Sequence, residues 1–176
     1  MSQLPVMPNV FDYCHSSLRS DWMDIFLLGS ARMFVGTSSG PAYVPPVYGV
    51  PCVLTNWWPP AQRPWQPQDI FLPKLYRNIK DNQVLSLERS LQEPLGYCNS
   101  IDYLNKAEGV VVEDNSADDI LAATIEMLDR LDRAFSMSED DLKLRQRSNE
   151  IYMAADVSGM SNLSRDFLRK HRSFLS

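Results

Sequence analysis

The chain has 176 residues, enough for one domain with a real core, and its 44% hydrophobic and 22% charged residues are those of an ordinary globular protein. A net charge of -5 at pH 7 leaves no basic face for a phosphate backbone, which argues against general nucleic-acid binding. Cys14, Cys52 and Cys98 lack the close spacing of a disulfide framework or a zinc site, and no apolar run approaches the length of a bilayer span, so a cytoplasmic setting is expected.

Residues 1–8, with Pro5 and Pro8 and no periodicity, read as an arm or linker remnant, and residues 9–176 as a single Rossmann-like domain. Asn9–Tyr13 suits a short strand, followed by the polar loop Cys14–Ser17. Ser20 stands where a helix N-cap would be, with Asp21 and Asp24 in the first turn, complementing the helix dipole. Trp22, Met23, Ile25, Phe26, Leu27 and Leu28 make that helix apolar nearly all round, which predicts packing on more than one side; Gly29 suits its C-cap.

Two short apolar runs, Met33–Val35 and Val50–Leu54, predict buried strands of a parallel sheet. Between them lies the hydroxyl-rich turn Gly36–Pro41, then a stretch that must cross back over the sheet. Strand, turn, crossover and strand make a βαβ unit, which puts the turn at the carboxyl end of the first strand, where open α/β sheets bind ligands. Pro45 and Pro46 predict a short, kinked or irregular crossover, because proline inside a helix removes a donor and costs about 3 kcal/mol.

Asn56–Pro67 carries four prolines and predicts a stiff loop rising from the second strand beside the turn. Asp69–Tyr76 is strand-like and broken by proline, whereas residues 78–105 give no assignment. Gly109–Glu113 predicts a further strand. Ser116 and Asp119 have capping-box spacing and open a helix with an apolar stripe of Leu121, Ile125, Leu128, Leu131 and Phe135. A second helix is predicted from Ser138 through Tyr152. Leu163, Phe167 and Leu168 suggest a last short one, with Arg169, Lys170, His171 and Arg172 at its favourable end for cations.

Val35-Gly36-Thr37-Ser38-Ser39-Gly40-Pro41, followed by Gly49-Val50-Pro51 and a strand, resembles the donor-binding segment of the heptosyltransferases and related sugar-nucleotide glycosyltransferases of the two-domain GT-B fold. Ser20–Leu27, Pro45–Pro51 and Thr55-Asn56-Trp57 are similar to recurring phrases of a group of bacterial surface-polysaccharide glycosyltransferases; the resemblance covers residues 9–75 well and the rest weakly. It implies an α/β fold, a Rossmann-like parallel sheet flanked by helices, like the carboxyl-terminal, donor-binding domain of a GT-B enzyme. It also implies a nucleotide-diphosphate sugar as donor, no metal and no separate cofactor. The amino-terminal acceptor domain, which would carry the general base, is absent from this chain. A fragment of this kind binds donor at best and needs that domain or a partner chain to turn over. Peripheral membrane association is compatible with the resemblance. In the heptosyltransferase pattern an acidic residue stands where Ser38 is and a histidine where Tyr43 is, so those two side-chain contacts do not carry over.

The donor site is therefore expected at Gly36, Thr37, Ser38, Ser39, Gly40 and Pro41, whose amides and hydroxyls suit a diphosphate, with Tyr43 just beyond. A plain βα turn with a serine N-cap explains the same residues without a ligand. Trp57, Trp58 and Trp65 can stack on a sugar or a base, or cover the domain's own core. Asn56 is placed to hydrogen-bond a nucleotide. Arg63 is placed either to neutralise diphosphate or to sit solvated on the surface, and Arg19 to line the crevice. Glu113, Asp114, Asp118 and Asp119 look like a helix start rather than a paired-carboxylate glycosidase site. Three functions compete on these residues: the nucleotide-sugar-binding half of a glycosyltransferase of surface polysaccharide or glycoconjugate synthesis, a non-catalytic assembly subunit, and a sugar-nucleotide epimerase.

Overall fold

The structure, a computed structural model, describes residues 3–176; Met1 and Ser2 of the expected arm lie outside the described residues. The rest of the arm is irregular and is tied down where the Leu4 amide donates to Asp12 Oδ2 at 3.0 Å. The strand expected over Asn9–Tyr13 does not form. Pro8 and a left-handed Asn9 (φ +59°) make a turn there, and Tyr13–His15 closes a 3-10 turn.

Helix α1 spans Asp21–Ser30, and Ser20 caps it by accepting the Met23 amide at 3.2 Å. Its packing corrects the sequence expectation: none of its residues is buried, and Trp22 is 74% exposed. Gly29 lies inside the helix rather than capping it, and a Cβ there would stand 3.0 Å from the Tyr48 ring. The glycine thus lets α1 rest on the segment that holds Tyr48.

Strands β1 (Phe34–Thr37), β2 (Cys52–Trp57) and β3 (Ile70–Pro73) run parallel, in register from Phe34 opposite Cys52 to Thr37 opposite Thr55. The expected parallel pair is therefore present, but only β2 is buried as expected: β1 lies at the sheet edge and buries none of its residues. Cys52, Val53, Leu54, Ile70, Phe71 and Leu72 are buried, as a strand covered on both faces requires. The β1–β2 crossover consists of two 3-10 turns, Gly40–Tyr43 and Pro45–Tyr48, each with proline near its start. This is the irregular crossover expected from Pro45 and Pro46. Between β2 and β3 the chain makes no helix at all; Pro59, Pro60, Pro64 and Pro67 keep it a loop.

The run predicted over 69–76 divides at Lys74. Strand β4 (Leu75–Asn78) leaves the sheet and pairs antiparallel with β5 (Val110–Glu113), so the strand predicted at 109–113 forms outside the parallel sheet. Helices α2 (Leu87–Leu91) and α3 (Ile101–Tyr103) lie between them in sequence, and Tyr76, Leu95, Leu104 and Val110 form a small second core with Trp58 against it.

Helix α4 (Ala117–Leu131) opens with the expected capping box, Asp119 N–H to Ser116 Oγ at 3.2 Å and Ser116 N–H to Asp119 Oδ2 at 3.3 Å. Its buried face differs from the predicted stripe: Leu121 and Ile125 are exposed, and Ala123, Glu126 and Met127 are buried. The cause is Glu126, which lies inside to accept from Arg130 Nη2 (2.6 Å), Ser164 Oγ (2.8 Å) and the Arg165 amide (2.7 Å). It thereby caps α6 (Arg165–Lys170) across the fold.

Helix α5 (Glu139–Ala154) forms where the second helix was expected, and Ser138 and Asp141 give it a capping box of its own. The two-residue strand β6 (Asn162–Leu163) joins β3 in parallel and completes the order β1-β2-β3-β6 among the described residues. The tail packs on the core: Phe167, Leu168, Phe174 and Leu175 are buried, and Arg169 forks onto Asp141 at 2.6 and 2.7 Å. Among the described residues no helix is long and apolar enough to cross a membrane.

The Arg169 fork holds the Asp141 carboxyl well below the usual carboxylate range. A depressed acid contributes stability that is whole above its unfolded value of about 3.9 and is lost as pH falls through that value toward the folded one. Asp141→Asn should therefore lower the unfolding free energy at neutral pH by about 1–2 kcal/mol, less than for a fully buried pair because Arg169 is half-exposed. Urea titrations should show the gap between variant and wild type closing below about pH 4.

Candidate functional site

The turn lies where the βαβ geometry requires, at the carboxyl end of β1, which is the edge strand of the sheet. Ser39 N–H is taken by Thr37 O at 2.7 Å and Ala42 N–H by Ser39 O at 2.9 Å. The Gly40 amide donates to no acceptor among the described residues, whereas the Thr37–Thr55 pairing draws the Ser38 amide into the end of the β1–β2 ladder. The Ser39 hydroxyl turns back to Thr37 O at 3.4 Å and caps nothing, so a serine N-cap does not account for the turn. A Cβ at Gly36 would strike the Phe34 ring at 2.3 Å, whereas one at Gly40 would meet nothing within 4 Å. Gly36 is thus fixed by packing. Gly40 is not demanded by the fold, and together with Pro41 it stays exposed.

Asn56 joins this turn to the start of α4. It adopts a left-handed conformation (φ +48°), where the β2–β3 register shifts, and asparagine tolerates that better than most residues. Its amide donates to Asn115 Oδ1 at 2.5 Å, and the Asn115 amide donates back to Asn56 Oδ1 at 2.6 Å. Asn115 Nδ2 reaches Pro73 O at 2.9 Å, and Thr37 Oγ1 reaches Asn56 O at 3.5 Å. The carboxyl ends of β1, β2 and β3 and the first turn of α4 thereby form one hydrogen-bonded rim. Asn56 Nδ2 and the amides of Ala117 and Asp118 have no acceptor among the described residues. Lys74 pairs with Asp114 at 2.7 Å and Lys170 with Asp119 at 2.8 Å, which balances two carboxylates beside the α4 start. His171 stacks on Phe167 with ring centroids 4.5 Å apart, and burial pushes its imidazole below the ordinary value.

The other expected residues lie elsewhere. Tyr43, Trp57 and Arg63 come together with Trp65, Tyr97 and Asp69 around a cleft of about 430 Å³, which the turn residues 36–41 do not line. Tyr43 and Trp57 meet edge to face with centroids 6.2 Å apart, and the Trp57 indole donates to Gln62 O. Trp58 donates to Tyr76 Oη at 2.7 Å and so covers the second core. Arg63 is neither a surface arginine nor a partner of the turn. It is 8% exposed, donates through Nε to Ser161 O (2.7 Å) and through Nη2 to Asn149 Oδ1 (2.6 Å), and lies 4.8 Å over the Tyr152 ring. Those contacts hold it near β6, across the sheet from β1. Arg19 is exposed and its side chain makes no bond to the turn.

Sequence reasoning missed Asn115, Lys74, Lys170 and Asp69. Only the Ser116/Asp119 box marked the first of these regions; the others gain their roles from partners far along the chain. Asp69, 1% exposed, accepts the Cys52 amide at 2.9 Å, and burial pushes its carboxyl up to about 6. A raised acid binds its proton more tightly when folded, so the ionised carboxylate opposes folding above that value, and the penalty disappears below its unfolded value of about 3.9. Asp69→Asn, which keeps an acceptor for Cys52, should match or exceed wild type by up to about 2 kcal/mol at pH 7. Denaturation series should show that difference vanishing near about pH 4.

Compared with protein-family models, curated proteins and solved structures, the chain has no significant match.

Proposed function

We propose that this chain is the nucleotide-sugar-binding half of a glycosyltransferase, with the donor diphosphate received at the carboxyl ends of β1 and β2. The observation that carries the reading is the rim itself: the Gly40 amide and the first amides of α4 have no acceptor among the described residues, at the carboxyl end of a parallel sheet. Such donors stabilise a leaving diphosphate without rearranging during the reaction. Lys74 and Lys170 stand beside the same end as the nearby cations, a role the sequence had suggested for Arg63. An acceptor base would come from outside this chain, so turnover is not expected of it alone.

A second reading has its own support. α1 buries none of its residues, the edge of β1 has no further strand beside it among the described residues, and Val35 on that strand is exposed. Apolar surface of this extent, next to an open strand edge, suits a further domain or partner chain. Here the chain serves as an assembly subunit with or without donor binding.

Calorimetric titration of the whole chain with uridine and adenosine diphosphates separates the two. The donor reading expects one of them to bind, and Gly40→Val to weaken it by about tenfold or more without changing thermal unfolding. Failure of both nucleotides to bind, or equal binding by the variant, would leave the assembly reading in possession.

A further inference from the structure

The cleft on the face of the sheet raises a separate question. In a regular βαβ unit a crossover helix would cover the β2 face, yet here both crossovers lack one: 3-10 turns precede β2 and a proline-rich loop follows it. The space left over Leu54 is the cleft of about 430 Å³, within the range of small-molecule sites. Its walls are the rings of Tyr43, Trp57, Trp65 and Tyr97, and two nearly buried charged groups, Arg63 and Asp69, look into it.

Those two groups are not each other's partner, since no ion pair joins Arg63 to any carboxylate among the described residues. Nε and Nη2 of Arg63 are bonded to Ser161 and Asn149, which leaves Nη1. Asp69 uses Oδ1 for the Cys52 amide, which leaves Oδ2. A guanidinium more than nine-tenths buried without a counter-charge is costly to keep, and an anionic group entering the cleft would offset that cost. One free guanidinium nitrogen among aromatic walls matches a monoanion; a doubly charged phosphate would leave surplus charge in an apolar space.

We propose that this cleft binds a cyclic hydroxy-carboxylate. Its acid meets Arg63 Nη1, its ring lies against Tyr43 and Trp65, and a hydroxyl donates to Asp69 Oδ2. Ring stacking fits both a pyranose face and a benzene ring, so the shared chemistry can come from a sugar acid or an aromatic hydroxy acid. The site is independent of the turn and does not rest on the donor reading.

Calorimetry on the whole chain with glucuronate and with 4-hydroxybenzoate, each beside its neutral counterpart (glucose and phenol), tests it. At least one acid should bind about tenfold or more tightly than its counterpart, and the acid that binds identifies the source. Arg63→Ala should abolish that preference but removes structural bonds, so Trp65→Ala, at a 64% exposed position, provides the second test. It should weaken the acid by about tenfold while leaving thermal unfolding and any nucleoside diphosphate affinity unchanged. Neither acid exceeding its neutral counterpart, or undiminished binding by Trp65→Ala, would overturn the proposal.

Discussion

Asn56 and Asn115 hold each other's backbone in a closed pair of hydrogen bonds, and the candidate site depends on that clasp. A strand end and a helix start each leave amides and carbonyls that need partners. Here the two satisfy one another through side chains, across 59 residues of sequence. The left-handed turn at Asn56 frees its side chain for this purpose and shifts the β2–β3 register just before Trp57. With Asn115 Nδ2 also fixed on Pro73 O, α4 starts against the top of the sheet. Its first amides therefore share a rim with that of Gly40.

Proline shapes the opposite aspect of the sheet. Pro41, Pro45 and Pro46 restrict the first crossover to 3-10 turns, and Pro59 through Pro67 keep the second a loop. No helix then fills the space over Leu54, and aromatic rings with Arg63 and Asp69 line it instead. The far layer is held by charge. Glu126 caps α6 from inside the fold, while Arg169 on α6 forks onto the capping acid of α5. These contacts add to the burial of Phe167, Leu168, Phe174 and Leu175 in anchoring a tail whose short helix would not hold alone.

Local chemistry was legible in the sequence where a few neighbouring residues decide the outcome. Ser20 and Ser116 cap the helices they were expected to cap, a helix begins beside Ser138, and the small-residue turn lies at the end of a strand with a parallel partner. What could not be read depends on partners distant in sequence. The β4–β5 ribbon needs residues 75–78 to meet 110–113, and the two residues of β6 carry no periodicity of their own. Glu126 is not part of the predicted apolar stripe of α4, yet its partners Ser164 and Arg165 draw it inward and turn Leu121 and Ile125 outward. The expected site divided for the same reason: Arg63 is adjacent to the turn's loop in sequence, but Ser161 and Asn149 hold it across the sheet.

Under the proposed function the rim is an anion receptor rather than a rigid joint with spare donors. Resonance-by-resonance NMR of the backbone amides during titration with uridine diphosphate tests this most directly. If the rim receives the diphosphate, the largest shifts fall on Gly40, Ala117 and Asp118 and saturate together. Shifts confined to Tyr43, Trp65 and the other cleft residues, or no saturable shift anywhere, would contradict it.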